Sequence, residues 1–274
     1  PRTPRSHSER PRPAERATAF AALTNPEAAV RLLKDMQART GGLLSAFELM
    51  PRIGIEFVTR HIPGARDPPV APAPWYVLME ATGGGGGVAA MFEGALEAAM
   101  KDGVVDDAVL AANGAQADSL WRLRDSLSEA QKREGASIKH DVSVPVAAIP
   151  AFIARARAVV LEAVPGARPV IFGHLGDGNL HFNFNAPPDS SGHKDADSAA
   201  FLARWEEIQF LVHDVVHEFS GSISAEHGIG AMKRDQLPRY KSSEELDAMR
   251  ALKRAFDPKN ILGPGKLIPP VLRL

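Results

Sequence analysis

Short apolar runs alternate with amphipathic stretches along most of the chain, and the spacing of the apolar positions predicts its secondary structure. Runs rich in β-forming residues predict strands, and stretches with an apolar period of about 3.6 residues, bounded by Pro or Gly signals, predict helices. The predicted strands are Ala17–Leu23, Leu43–Met50, Trp75–Thr82, Val104–Ala112, Ser137–Val144 and a hairpin over residues 170–186. The predicted helices are Pro26 to about Thr40, Pro51–His61, Val88–Lys101, Ala115–Gly135, Val146–Val164, Ser198–Ser220 and Ser243–Phe256.

Helices separate most of these strands, and the sequence contains no visible internal repeat. This order predicts an α+β fold, with a largely antiparallel sheet and helices packed mainly on one face. Residues 1–16 are rich in Arg and Pro and hold almost nothing apolar, so they are predicted to be a disordered linker or a truncation joint. The predicted domain covers residues 17–268 and is followed by a tail at 269–274. A start with Pro rather than Met indicates a fragment of a longer chain.

Composition narrows the possible functions. The chain has 274 residues, is 45% hydrophobic and carries a net charge of −1, so no overall charge attracts nucleic acid or an anionic membrane. It contains no cysteine, which excludes disulfides, thiolate metal sites and thiol catalysis. No apolar run approaches the roughly 20 residues of a membrane span, and the N-terminus lacks the apolar core of a secretory signal. A cytoplasmic protein is therefore expected.

The predicted hairpin carries the first candidate chemistry, because His174 and His181 flank a turn at Gly176–Asn179. On the returning strand, the period of two places His181, Asn183 and Asn185 on one face. The opposite face is apolar and belongs to the core. The first face is predicted to be a polar working surface.

A second Gly-rich segment contains Glu226 and His227. His174, His181 and Glu226 together could form a set of two histidines and one carboxylate around a divalent metal, with Zn²⁺ preferred over Mn²⁺, Co²⁺ or Fe²⁺. A polar loop cluster without metal is an equal alternative. His227 is a candidate general base or ligand contact, because imidazole titrates near neutral pH. A hydrogen-bonded loop histidine is the alternative interpretation.

A predicted helix carries Arg122 and Arg124, which cannot share one helix face, so one of them is expected to point inward. Arg124, Ser128 and Gln131 form a polar stripe that could receive a carboxylate, for which the guanidinium fork is well shaped. Lys139 falls on the next predicted strand. A solvated helix face is an equal alternative for this stripe.

The glycine-rich segment Gly83–Gly87 lies between a predicted strand and a predicted helix. Within it, Gly85–Ala90 formally matches a dinucleotide-binding pattern, with Asp106 about twenty residues further on. The run of glycines is looser than that turn requires, and no series of parallel βαβ units follows. A flexible loop is therefore the preferred interpretation over an NAD site.

Several motifs together carry a family resemblance. They are Trp121-Arg-Leu-Arg124, Lys139-His-Asp-Val-Ser-Val-Pro145, Gly173-His-Leu-Gly-Asp-Gly-Asn-Leu-His181, Ala225-Glu-His-Gly-Ile-Gly230 and Phe256-Asp-Pro-Lys-Asn-Ile-Leu-Gly-Pro-Gly-Lys266. Between Ala17 and Ile268 the chain resembles the C-terminal domain of FAD-linked oxidases. The resemblance is to the branch of the vanillyl-alcohol-oxidase superfamily that holds D-2-hydroxyglutarate, D-lactate and glycolate dehydrogenases. Gly263 departs from the family pattern, which commonly has Asn there.

The resemblance implies that a separate N-terminal domain, absent here, binds FAD, and that this chain is the half that binds substrate and metal. It assigns a divalent metal, Zn²⁺ first, to the set of two histidines and one glutamate, and the role of base to His227. It assigns the substrate carboxylate to Arg124 and Lys139, assisted by Ser128, and a further substrate contact to Asn183.

Two functions from different classes follow. The first is one half of an FAD-dependent dehydrogenase that oxidises a D-2-hydroxy acid, such as 2-hydroxyglutarate, lactate or glycolate, to the 2-oxo acid and passes hydride to FAD. This half is expected to be inactive without its FAD-binding partner domain. The second is a stand-alone metal-dependent hydrolase or metal-binding module that uses the site formed by His174, His181 and Glu226. Neither function involves nucleic acid or a membrane span.

Overall fold

A computed structural model describes residues 15–84, 86–188 and 194–269. The chain divides into two compact units: unit 1 comprises Pro1–Ser137 and Val170–Asp177, and unit 2 comprises Ile138–Pro169 and Gly178–Leu274. Residues 1–14 of the predicted linker and 270–274 of the predicted tail lie outside the described residues, as does Gly85. The domain limits given above stay predictions.

Unit 1 contains strands and helices in alternation. Its strands are β1 (Glu15–Leu23), β2 (Leu44–Pro51), β3 (Trp75–Gly83) and β4 (Asp107–Leu110), with β7 (Arg168–His174) contributing its C-terminal part. Its helices are α1 (Pro26–Thr40), α2 (Arg52–His61), α3 (Val88–Lys101), α4 (Gly114–Asp125) and α5 (Leu127–Arg133).

Unit 2 is more helical. Its strands are β6 (Asp141–Ser143) and β8 (Asn179–Asn185), and β5 (Ser137–Ile138) lies at the boundary with unit 1. Its helices are α6 (Ile149–Ala163), α7 (Lys194–Ala203), α8 (Trp205–Glu218), α9 (Gly230–Lys233), α10 (Leu237–Tyr240) and α11 (Ser243–Phe256).

Local chemistry explains where several helices begin. The side chain of Asn25 accepts a hydrogen bond from the backbone N–H of Ala28, and Pro26 occupies the start of α1. The helix ends at Gly41, which adopts the left-handed conformation with φ 59°. Ser242 and Glu245 form a reciprocal capping box at the start of α11. These signals are readable in the sequence, and the predicted bounds of both helices are confirmed.

The sheet of unit 1 has the strand order β4-β1-β3-β2-β7, and its pairings are antiparallel. The predicted α+β class with a largely antiparallel sheet is confirmed. Alternate residues of β1 and β3, including Phe20 and Tyr76, pack with Met50 of β2 and with apolar residues of α2, α4 and α5 in one core. Residues 17–23 of β1 are all buried, so both faces of this central strand are covered, beyond the single face that the sequence predicted.

Three predicted elements are interrupted, two of them for identifiable reasons. The helix predicted over Ala115–Gly135 breaks at Ser126 into α4 and α5, and the helix predicted over Ser198–Ser220 breaks at Arg204. The Arg204 guanidinium reaches back to the carbonyl of Ala163, which fixes the chain at that break. The strand predicted over Ser137–Val144 is interrupted before Asp141, because the N–H of His140 bonds to a side chain instead of to a neighbouring strand.

Unit 2 places β6 against β8 in antiparallel register, with Asp141 opposite His181. Helices α6 and α8 pack together, and the Phe152 ring of α6 contacts the Phe182 ring of β8 at a centroid distance of 5.0 Å. Gly178 begins this strand region with φ 82°, and a Cβ there would lie 2.2 Å from the carbonyl oxygen of Val144. Only glycine fits that position without moving the backbone.

Candidate functional site

In unit 1, the predicted site residue His174 lies directly opposite Glu48 in the pairing of β2 with β7. The Glu48 side chain is 3% exposed, and its Oε1 lies 2.6 Å from Nδ1 of His174. Because a carboxylate oxygen accepts, this contact requires the N–H to be on Nδ1 of His174, and in that tautomer the lone pair of the ring is on Nε2. The strand register therefore selects one tautomer of a candidate metal ligand.

The same carboxylate holds Arg124. Nε of Arg124 donates to Oε2 of Glu48 at 2.7 Å, and the guanidinium carbon lies 5.2 Å from the centroid of the Phe172 ring. The Arg124 side chain is 11% exposed, whereas Arg122 is exposed and donates to the carbonyl of Pro63. The prediction that one of the two arginines points inward is confirmed. The hydrogen bond to Glu48 uses Nε and fixes the orientation of the guanidinium. The terminal amino groups of Arg124 can then donate to the carboxylate of a ligand.

A cavity of about 450 Å³ in unit 1 lies beside this group. Its walls include Leu33, Phe47, Glu48, Trp121, His174 and Asp177. The mixture of apolar and polar walls suits a small organic ligand that is held by a few polar contacts.

In unit 2, the loop that carries Glu226 and His227 is anchored by Asp141. Oδ2 of Asp141 accepts the backbone N–H of Glu226 at 2.9 Å and that of His227 at 2.8 Å, and Nδ1 of His227 lies 3.4 Å from the same oxygen. Burial of Asp141 raises the pKa of its carboxyl, but the hydrogen bonds from the backbone N–H groups of His227 and Glu226, together with electrostatic interactions with the His227 side chain and Lys233, outweigh burial and lower the pKa below its ordinary value. Asp141 is therefore ionised at neutral pH.

The side chains on this loop face β8. Oε2 of Glu226 lies 3.9 Å from Nε2 of His181, and the His181 and His227 rings stack with a centroid distance of 6.2 Å. His227 is 69% exposed, so its ring is accessible to a ligand. Unit 2 thus brings together two of the predicted metal ligands and the predicted base.

The predicted polar working surface on β8 differs from expectation. His181 is partly exposed, but Asn183 and Asn185 are buried at 3% and 0% exposure. Oδ1 of Asn183 accepts the backbone N–H of His140 at 3.1 Å, which explains how a polar residue is accommodated there. This face is an internal hydrogen-bonding layer and not an open surface.

The remaining predicted site residues are on the surface of their own units. Ser128 is exposed on α5 in unit 1, and Lys139 is exposed between β5 and β6 in unit 2. Gln131, the third member of the predicted stripe, is buried, so Arg124, Ser128 and Gln131 do not present a continuous exposed polar face. The solvated-face interpretation of the stripe is therefore wrong for Arg124 and Gln131.

Metal ligation as a complete set is not visible in the described residues: no group of three or more His, Cys, Asp or Glu side chains is arranged there to hold a metal ion. Within unit 1, the structure shows Glu48 hydrogen-bonded to Nδ1 of His174, which orients the ring. Within unit 2, it shows the carboxylate of Glu226 close to His181.

Several residues with evident structural roles were missed from the sequence. Glu48 is an acidic residue inside a predicted apolar strand, and that contrast is the one signal that could have identified it. Asp141 lies in the motif Lys139–Pro145, and its position in the sequence alone does not indicate that it accepts two backbone N–H groups of the 226–227 loop. His140 and His213 are buried histidines whose rings lie 5.7 Å apart, and Lys233 is partly buried nearby, where burial lowers the pKa of its ammonium group.

The amides at the start of α3 are occupied. The N–H groups of Val88 and Ala89 donate to the Glu15 carboxylate at 3.1 and 3.0 Å, and these backbone hydrogen bonds lower the pKa of Glu15. A dinucleotide phosphate would need the same donors. The loop interpretation of Gly83–Gly87 is supported over the NAD interpretation, although Gly85 lies outside the described residues.

No helix within the described ranges combines the length and the apolar character needed to cross a membrane.

Comparison with known proteins identifies the family. The family model of FAD linked oxidases, C-terminal domain, matches residues 12–267. The chain belongs to this family. As an FAD-linked oxidase C-terminal domain, it is 40% identical over 224 residues to a D-2-hydroxyglutarate dehydrogenase of Xanthomonas citri pv. viticola, a match that covers 82% of this chain and 46% of the relative. It is 34% identical to the mitochondrial D-2-hydroxyglutarate dehydrogenases of Arabidopsis thaliana and Bos taurus, with 92% and 94% of this chain covered and 43% and 45% of those relatives.

Solved structures confirm the fold of this FAD-linked oxidase C-terminal domain. A p-cresol methylhydroxylase matches 93% of the chain and 53% of its own length with a TM-score of 0.61 and 12% identity. A 4-ethylphenol oxidase from Gulosibacter chungangensis matches 96% of the chain and 56% of its own length with a TM-score of 0.62 and 14% identity. The predicted family resemblance is confirmed. The chain spans less than half the length of the dehydrogenases cited above.

Proposed function

We propose that this chain is the substrate- and metal-binding part of an FAD-dependent D-2-hydroxyacid dehydrogenase, which oxidises a D-2-hydroxy acid such as 2-hydroxyglutarate, lactate or glycolate to the 2-oxo acid. The observation that carries the proposal is the similarity to D-2-hydroxyglutarate dehydrogenases over most of this chain. Because the chain spans less than half of those relatives, the activity is proposed for this chain together with an N-terminal FAD-binding domain of the same parent protein.

The proposal assigns a divalent metal, Zn²⁺ first, to His174, His181 and Glu226. Within unit 2, Nε2 of His181 and Oε2 of Glu226 are 3.9 Å apart. Two ligands of one tetrahedral Zn²⁺ are separated by roughly 3–4 Å, so this pair needs little adjustment to share an ion. Within unit 1, the carboxylate of Glu48 on Nδ1 of His174 is the arrangement that orients a histidine for metal binding through Nε2.

When bound, the metal would polarise the 2-hydroxyl of the substrate, and FAD would accept the hydride from C2. His227 is proposed to accept the hydroxyl proton, since its ring is exposed and its backbone is fixed by Asp141. Arg124 is proposed to bind the substrate carboxylate through its terminal amino groups, because Nε is bonded to Glu48. Lys139 and Ser128 are proposed as further carboxylate contacts.

Asn183 is proposed as a further substrate contact from the family resemblance alone, and its Oδ1 accepts the backbone N–H of His140. Residues that contact FAD are not assigned on this chain. Cytoplasmic localisation stays a prediction, and the eukaryotic relatives named above are described as mitochondrial.

The activity is tested by combining this chain with a cognate FAD-binding domain and following the reduction of a dye by D-2-hydroxyglutarate, D-lactate and glycolate, with the L enantiomers as controls. We expect stereoselective dye reduction, and we expect His227→Asn to lower the rate by about 10²–10⁴-fold. His217→Asn, at an exposed histidine of α8, should leave the rate unchanged. Metal-dependent hydrolysis without flavin, and no dye reduction, would instead support the hydrolase alternative.

Metal binding has its own test on the chain by itself. Elemental analysis after dialysis should find about one divalent ion per chain in the wild type and a large loss in His181→Ala, because removal of one ligand from a three-ligand site breaks it. Equal metal content in the two proteins would remove the proposed ligand set while leaving the dehydrogenase proposal to be judged by the dye assay.

A further inference from the structure

Glu48 occupies an unusual place in unit 1. It is a carboxylate in the middle of a buried strand, flanked by Phe47 and Leu49, and its side chain is 3% exposed. Burial of a carboxylate is unfavourable unless hydrogen bonds satisfy it. Glu48 receives two, one on each oxygen: from Nδ1 of His174 at 2.6 Å and from Nε of Arg124 at 2.7 Å.

The two donors differ in what they can do. The guanidinium of Arg124 has donors and no acceptor, so it can only donate, and Oε2 of Glu48 fixes one edge of it. His174 in its neutral form has one N–H, and the carboxylate requires that this hydrogen sits on Nδ1. The lone pair of the ring is then on Nε2, the atom that a metal needs.

We propose that Glu48 is a positioning residue for the proposed reaction, which selects the Nδ1–H tautomer of His174 and at the same time orients Arg124. The two oxygens of this one carboxylate contact His174, which is proposed to bind the metal, and Arg124, which is proposed to bind the substrate carboxylate. The effect of Glu48 on metal and substrate binding rests on the proposed function. The tautomer of His174 and the two hydrogen bonds of Glu48 are properties of unit 1 alone.

Glu48→Gln is the informative substitution, because it keeps the size of the side chain and changes its hydrogen-bonding pattern. An amide offers one acceptor and one NH₂ donor in place of two acceptors. Arg124 cannot accept, so the amide oxygen must serve Arg124 and the NH₂ group must face His174. Nδ1 of His174 then has to accept, which moves the ring hydrogen to Nε2.

Glu80→Gln is the matched control in the same unit. Oε2 of Glu80 accepts hydrogen bonds from the hydroxyl of Thr18 and the indole N–H of Trp121, both at 2.9 Å. The substitution makes the same chemical change in a neighbouring strand, and the hydrogen-bond partners that the structure gives for Glu80 do not include His174 or Arg124. The Glu48 side chain is 3% exposed and the Glu80 side chain 13%, so any general weakening of the unit by replacing a largely solvent-shielded carboxylate with an amide appears in both variants.

The first measurement is the tautomer of His174 in the metal-free chain, read from long-range ¹H–¹⁵N correlations at pH 8, where an ordinary imidazole is neutral. We expect the Nδ1–H form to dominate by about tenfold or more in the wild type and in Glu80→Gln, as a charge-assisted hydrogen bond implies. In Glu48→Gln the Nε2–H form should be in excess. A wild-type His174 that carries its hydrogen on Nε2 overturns the proposal, even if the variants fail to fold.

The second measurement is Zn²⁺ affinity by competition with a chromogenic chelator. Loss of the orienting carboxylate should weaken binding on the order of 10–100-fold in Glu48→Gln, with little change in Glu80→Gln. An affinity in Glu48→Gln equal to that of the wild type refutes the positioning role. If the wild type itself binds no Zn²⁺, the metal part of the proposed function fails, and the tautomer measurement still decides whether Glu48 selects the form of His174.

Discussion

Unit 2 should lose stability in mild acid because it buries two neutral histidines. His213 is fully buried, and desolvation lowers its pKa from 6.5 to about 4. Its Nδ1 donates to Oε1 of Gln236, whose own NH₂ group donates to Gln209, so the ring hydrogen is on Nδ1. A second proton would enter at Nε2, where the described residues offer no hydrogen-bond partner. His140 is 2% exposed, and desolvation is the main cause that lowers its pKa to about 3, so it is also neutral in the folded protein.

The direction in which the free energy of unfolding changes with pH follows from proton uptake. Between pH 6.5 and about 4 the unfolded chain binds a proton at residue 213 and the folded chain does not, so the free energy of unfolding falls as the pH falls through this interval. Each pH unit of the interval corresponds to about 1.36 kcal/mol. His213 alone therefore accounts for a loss of about 3 kcal/mol by pH 4, and its contribution is fully present above pH 6.5.

The measurement is urea unfolding from pH 4.5 to 8, followed by circular dichroism and by hydrogen exchange of α8. His213→Asn keeps a donor in the position of Nδ1 but removes the titrating group, so it should be less stable than the wild type at pH 7 and show a shallower decline towards acid. His217→Asn, one turn later on the same helix, should keep the wild-type slope. A wild-type free energy that is flat down to pH 4.5, or an unchanged slope in His213→Asn, would refute this reasoning.

Three further outcomes are expected. Asp141→Ala removes two charge-assisted hydrogen bonds from backbone donors, so hydrogen exchange in the loop at 224–228 should accelerate and unit 2 should lose about 3 kcal/mol in urea unfolding. Gly178→Ala forces a Cβ to within 2.2 Å of the Val144 carbonyl at φ 82°, and should cost about 3 kcal/mol or more, whereas Gly103→Ala, with φ 65° and open space, should cost only about 1 kcal/mol. Ser242→Ala removes the cap of α11 and should lower stability by about 1 kcal/mol, measured by thermal unfolding.

The parts of the fold that the sequence predicted well are those with local causes. The start of α1 depends on Asn25 and Pro26, which are adjacent in the chain, and the capping box of α11 spans residues 242–245. The breaks at Ser126 and Arg204 were missed because the apolar period continues through them. At Arg204 the deciding contact is with Ala163, a residue 41 positions away.

The candidate site shows the same limit. The histidines, Glu226 and Arg124 could be singled out because their residue types carry chemistry and stand in recognisable motifs. Glu48 could not, since its role depends on the register of β2 against β7, and its partner His174 is 126 positions away. The burial of Asn183 was likewise invisible, because alternation along a strand tells which residues share a face but not what covers that face.

The anchoring of the Glu226–His227 loop has a practical consequence for protein engineering. Asp141 holds this loop through two consecutive main-chain N–H groups, which every residue except proline provides. The side chains at these two positions can therefore be exchanged while the hold on the main chain is kept. A library that varies only positions 226 and 227 should therefore yield proteins with different side chains in this loop and the same loop backbone conformation.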